Sequence, residues 1–101
     1  MDTDYISKEA YNVIRCAARF DDTLKALIGA ECSESTDEDE YLEHILDLIA
    51  EIKEGTKEYL EEWGLEDQFS VHDYREKLKT VEAEVKRVQG VPKASRTYEE
   101  W

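Results

Sequence analysis

The chain has 101 residues, of which 41% are hydrophobic and 39% charged, with a net charge of −13. One domain is expected, with a modest core, because a chain of this size buries only about two-thirds of its unfolded surface. A single proline and four glycines favour long helices and disfavour a turn-rich all-β fold. No apolar run approaches the roughly 18 residues of a membrane span, and Met1-Asp2-Thr3-Asp4 does not resemble a secretory leader, so a cytoplasmic location is expected.

The first predicted helix covers about residues 5–28, capped by Thr3 or Ser7. Ile6, Ala10, Val13, Ala17, Phe20, Leu24 and Leu27 recur at steps of three and four, with Ile14 and Ile28 beside them, so they share one face. Gly29 is the expected stop. Cys16 and Cys32 lack Cys-x-x-Cys spacing and neighbouring histidines, and read as reduced packing residues.

The second predicted helix covers about 36–63 and is the longest, with Ser35 and Glu38 spaced as a capping box. Leu42, Ile45, Ile49, Ile52, Thr56, Tyr59 and Trp63 form one seam; Tyr41, Leu48, Ile52, Gly55 and Tyr59 form a second. A helix with two seams can touch two neighbours, which places it centrally. Gly64 and Leu65 form the expected stop. The third helix, about 71–89, starts after Ser70 and repeats Val71, Tyr74, Leu78, Val81, Val85 and Val88 on one narrow stripe. Gly90 and Pro92 end it, and residues 91–101 form a tail carrying Tyr98 and Trp101. The expected fold is all-α: residues 1–90 form a three-helix up-down-up bundle with a long second helix, slender enough that pairing as a homodimer would bury more apolar surface.

The acidic excess is segregated. Residues 31–66 carry fourteen acids against Lys53 and Lys57, whereas residues 67–101 carry seven of each sign. This argues against direct nucleic-acid binding, for which a basic surface is needed. Glu43, Asp47 and Glu51 follow each other at one-turn spacing, as do Glu54, Glu58 and Glu62. Like charges at that spacing repel by up to about 0.5 kcal/mol per pair. From Glu38 to Glu62 ten carboxylates occur, over about 36 Å of axis, a pitch close to the roughly 3.4 Å phosphate spacing of one DNA strand.

Catalytic signals are weak. Glu40-x-x-Glu43, Glu51-x-x-Glu54 and Glu58-x-x-Glu61 have the spacing of carboxylate metal sites, but no Glu-x-x-His accompanies them. His44 and His72 sit on separate elements, and no Gly-x-Ser-x-Gly turn or phosphate loop exists. No catalytic residue, metal or cofactor is therefore expected. The leading expectation is a small adaptor or regulatory protein that contacts a protein partner. Its contact surfaces would be the acidic face (Glu40, Glu43, Asp47, Glu51, Glu54, Glu58, Glu61 and Glu62) and the aromatic tail (Tyr98 and Trp101). The alternative is a nucleic-acid mimic that inhibits a basic nucleic-acid-binding protein, as inhibitors of bacterial defence nucleases do. A metal-dependent all-α nucleotide pyrophosphohydrolase is the third reading.

Overall fold

A computed structural model describes residues 7–31 and 37–97. Five α-helices occur among them: α1 (Lys8–Ala18), α2 (Asp22–Glu31), α3 (Glu38–Glu54), α4 (Thr56–Glu62) and α5 (Val71–Gly90). A 3-10 turn at Lys93–Ser95 follows, and no strand is present among the described residues. None of these helices is long and apolar enough to cross a membrane.

The helix expected over 5–28 is two helices, and the reason is Asp21. α1 ends at Ala18 with Arg19 as its C-cap, and Asp21 stands directly before α2. Its Oδ1 accepts the Thr23 backbone N–H at 2.9 Å, as an N-cap carboxylate does. Its Oδ2 accepts the Tyr59 and Tyr74 hydroxyls at 2.6 and 2.5 Å. Asp21 is only 5% exposed. A buried carboxylate needs such donors, because an unpaired one is strongly disfavoured. The break also resets the helical phase. Leu24 and Ile28, four residues apart, become fully buried, while Leu27 is only partly buried. Gly29 does not stop α2, which continues to Glu31.

The long second helix is likewise divided. Asp37 caps α3 through Oδ1, which accepts Glu40 N–H at 2.9 Å. Ser35, the expected cap, lies outside the described residues. Gly55 interrupts the helix at φ −116° and ψ 40°. The Thr56 hydroxyl follows at once and donates to the Ile52 carbonyl at 2.8 Å, back-bonding of the kind that bends helices. Apart from the half-buried Gly55, both predicted seams are buried from Tyr41 to Tyr59, but Trp63 is not: it ends α4 and is 45% exposed. The stop itself is as expected. Gly64 takes φ 67°, Leu65 N–H donates to the Leu60 carbonyl at 2.8 Å, and Gly64 N–H to Glu61 at 3.3 Å. These are the two bonds of a Schellman motif.

α5 matches its expectation: Ser70 caps it by accepting Asp73 N–H at 3.1 Å, and Tyr74, Leu78, Val81, Val85 and Val88 are buried. At 20 residues it, and not the second predicted helix, is the longest element. It packs against α1, α3 and α4, while α2 packs against α1 and α3. At one end of the molecule an aromatic cluster closes the core. Tyr59 stacks on Tyr74 with centroids 5.3 Å apart, and Phe20 and Phe69 meet Tyr74 edge-on at 5.8 and 5.2 Å. Such pairs add about 0.5–1.5 kcal/mol each beyond area burial.

A polar clamp built on Glu38 ties three segments together at the start of α1. Glu38, read from the sequence as the glutamate of a capping box, is 1% exposed. Its carboxylate accepts the Ser7 backbone N–H at 2.5 Å and pairs with the Arg96 guanidinium, itself 8% exposed. Arg96 also reaches Asp39 at 3.2 Å and the Val91 carbonyl at 3.0 Å. Beside it, Lys8 N–H donates to Thr97 and Thr97 N–H to Glu9 Oε2, both at 2.9 Å. The Thr97 amide thereby holds the Glu9 carboxyl below its ordinary pKa. The tail thus folds back as far as Thr97; Tyr98 and Trp101 lie outside the described residues.

Substituting D21A leaves two tyrosine hydroxyls buried without an acceptor and uncaps α2. Unsatisfied groups cost about 1–3 kcal/mol each and a lost cap about 1, so urea denaturation should show a loss of about 3–7 kcal/mol. Burial, reinforced by the Asp21 hydrogen bond, raises the pKa of both Tyr59 and Tyr74 far above the ordinary value of 10. The folded state therefore holds its tyrosine protons more tightly than the unfolded chain. Stability from this source is intact below about pH 10 and falls as the pH rises beyond it. Urea midpoints measured across pH 9–12 check this, and Y59F should flatten the decline. At the other end, R96A strands the buried Glu38 carboxylate and should cost about 3–5 kcal/mol.

Candidate functional site

The exposed face of α3 and α4 gathers most of the sequence-predicted site. Glu43, Asp47, Glu51 and Glu54 are exposed on α3, Glu40 is half-buried at its start, and Glu58, Glu61 and Glu62 are exposed on α4. The core side of the same helices is occupied by Leu42, Ile45, Ile49, Ile52 and Leu60. The amphipathic pattern that buries the apolar seams therefore drives these carboxylates outward.

Two features alter the continuous row that the spacing suggests. Glu38 is withdrawn into the clamp with Arg96. The break at Gly55 divides the remaining acids between two helices, and Glu58 Oε2 lies beside it, 3.7 Å from where a Cβ on Gly55 would stand. The straight 36 Å ladder of charge is thus two shorter segments, the longer being Glu43 to Glu54 on α3.

Cations do little to neutralise the face. Lys53, the one base on α3, points away and pairs with Glu82 of α5 at 3.6 Å. Glu43 accepts a neutral hydrogen bond from Gln89 at 2.9 Å. α5 behaves differently: Lys79 meets Glu76 at 3.4 Å, Lys86 meets Glu82 at 3.9 Å and Arg87 meets Glu84 at 2.9 Å. The contrast is one of spacing, because on α5 the signs alternate within a turn.

Trp63 closes the α4 end of the acidic face. An exposed indole directly after Glu61 and Glu62 presents a π-surface beside carboxylates. The seam periodicity assigned it to the core, and only the Schellman turn at Gly64 releases it. On the α3 side, His44, Asp47, Leu48 and Glu51 line a shallow hollow of about 110 Å3. That volume is below the roughly 300–1,000 Å3 of ordinary ligand sites.

The other candidates remain apart. His72 is exposed at the start of α5, 3.9 Å from Glu76. Among the described residues no group of three or more His, Cys, Asp or Glu side chains could hold a metal ion. Cys16 is half-buried between α1 and α5 and carries a raised thiol pKa, from burial first and Glu84 second. Comparison with family models, curated proteins and solved structures yields no match to this chain.

Crowded like charge should make the face a stability liability. E51K on exposed α3 should raise the unfolding free energy by about 0.5 kcal/mol at low ionic strength, since it converts two like-charged neighbours at one-turn spacing into attractive ones. Urea unfolding with and without added salt checks this, because a screened interaction fades as salt is added.

Proposed function

We propose that this protein is a small helical adaptor whose α3–α4 face binds a basic protein partner. The observation that carries the reading is the exposed row Glu43, Asp47, Glu51 and Glu54 on α3, whose Lys53 is drawn to α5, with the exposed Trp63 at the end of the neighbouring α4. Selection for stability alone mixes charge signs, as α5 does. A partner's lysines and arginines would supply the missing counter-charge, and an arginine could stack on the indole. Tryptophan and arginine dominate interface energetics when they are desolvated together.

Charge on this face would act mainly on the rate of encounter and on partner choice. The α3 segment, from Glu43 to Glu54, also supports a narrower reading, in which the partner's basic surface is its own nucleic-acid groove. The division at Gly55 limits such mimicry to about half a turn of duplex, because Glu43 to Glu54 rises roughly 16 Å against about 34 Å per duplex turn. Pairing of two copies as a homodimer is a further part of the proposal, with Trp63 as the apolar contact. Two copies would each bring a charge of −13, so association should strengthen with salt.

The test is charge reversal of Asp47, Glu51, Glu54 and Glu58 to lysine, with partners captured from native extract on tagged wild-type and variant protein. The expected outcome is loss of the captured basic protein with circular dichroism unchanged, and release of that protein from wild type by moderate salt. Retention of every partner by the variant removes the acidic-face reading. Competition by duplex DNA or RNA for the captured protein selects the mimic over the adaptor. A sedimentation mass of 11.8 kDa at low and high salt alike removes the dimer.

A further inference from the structure

The strongest feature outside the acidic face is a groove of about 400 Å3 between α1 and α5. Asn12, Arg15, Cys16, Arg19, Thr80, Glu84 and Arg87 line it. It gathers three of the five arginines of a chain that carries 26 acids.

The arginines elsewhere are engaged. Arg75 donates to the Lys53 carbonyl and the Thr56 hydroxyl, and Arg96 is locked to Glu38. Arg15 and Arg19, by contrast, have no ion pair among the described residues, although acids are abundant. Arg15 lies in the last turn of α1 and Arg19 is its C-cap, still at helical φ −63° and ψ −29°, so the two, four residues apart, project from one face. Across the groove, Arg87 is held by two hydrogen bonds to Glu84 Oε2, at 3.2 and 2.9 Å. The pair orients the guanidinium along the groove wall and, being exposed to solvent, leaves it able to exchange Glu84 for a ligand. A net positive concavity survives even with Glu84 counted, in a molecule whose overall charge is −13.

We propose that this groove binds a small phosphate-bearing anion through the guanidinium groups of Arg15, Arg19 and Arg87. Guanidinium forks match the oxygens of phosphate and carboxylate alike. Three of them on two helices outnumber the two oxygens of a carboxylate but suit the several oxygens of a phosphate or diphosphate. The Asn12 amide and the Thr80 hydroxyl add neutral donors at the same wall. The volume is that of a mononucleotide-sized ligand. Charge selects the size of the anion. A second copy of this chain or a nucleic acid would bring many negative charges against a surface of −13, whereas a small dianion brings two. This groove and the α3–α4 face are separate surfaces, so the proposal stands independently of the partner reading.

The probes are inorganic phosphate and pyrophosphate, titrated into the full chain and followed by 15N-edited NMR, with sodium chloride at matched ionic strength alongside. The expected result is saturable shifts of the Asn12, Cys16 and Thr80 amides with pyrophosphate and none of comparable size with chloride. Bound pyrophosphate should also slow alkylation of Cys16, read by peptide mapping so that Cys32 does not contribute. The exposed pair R15Q/R19Q should keep helix content and raise the apparent Kd about tenfold or more, as loss of charge-assisted hydrogen bonds does. Shifts that chloride reproduces, or a Kd unchanged in R15Q/R19Q, overturn the proposal. Unprotected Cys16 at saturating pyrophosphate overturns it on wild-type protein alone.

Discussion

The Asp21 carboxylate is the point on which the arrangement of helices depends. One oxygen caps α2 and the other receives hydroxyls from α4 and α5, so a single side chain fixes where the first helix breaks and what docks there. The two tyrosines and the carboxylate need each other. Tyr59 and Tyr74 stack face to face inside a ring of phenylalanine edges, where their hydroxyls have little other recourse. Removing the carboxylate orphans the hydroxyls, and removing the hydroxyls leaves a buried charge with only a backbone donor. The cluster therefore specifies one packing of α2, α4 and α5, where apolar contacts alone would tolerate several.

A second polar centre does the same at the opposite end of α3. Glu38 and Arg96 tie the entry to α1, the entry to α3 and the chain beyond α5. Buried ion pairs add little net stability, because desolvation offsets attraction. What this pair adds is definition: the chain after Gly90 has only one place where its guanidinium can be satisfied. The Thr97 contacts with Lys8 and Glu9 then close the structure where helices α1 and α5 would otherwise fray.

Against this frame the α3–α4 face is conspicuous for having little structural duty. Acids at Asp21, Glu38 and Glu9 hold specific donors, and those of α5 alternate with bases. The row from Asp47 to Glu54 opposes folding through mutual repulsion and is compensated only by the seams beneath it. That uniform charge beside an exposed tryptophan is what the proposed contact with a basic partner rests on. The α1–α5 groove has the reverse charge, so its arginines lie on other helices than the acidic row.

The amino-acid sequence by itself determined the helical class, because periodicity at three and four residues is a local property of side-chain placement. It also determined the full length of α5, the caps at Ser7 and Ser70 and the Gly64 stop, each set by a side chain and a backbone group a few residues apart. The outward placement of Glu43 to Glu62 followed from the same periodicity. Tertiary structure alone decided the rest. The apolar stripe runs unbroken through Phe20 and Leu24, so the break at Asp21 was masked, although Asp21-Asp22-Thr23 is itself a cap signature. Its use there required tyrosines 38 and 53 residues away. Glu38 looked like one more acid in a run of four, and only a guanidinium 58 residues on made its burial tolerable. Trp63 fitted the seam but fell beyond the turn that ends α4. The groove arginines sit on helices 60 or more residues apart in the chain, and no local pattern could join them. Local rules fix which faces are apolar; where a buried charge finds its partner is a property of the folded chain.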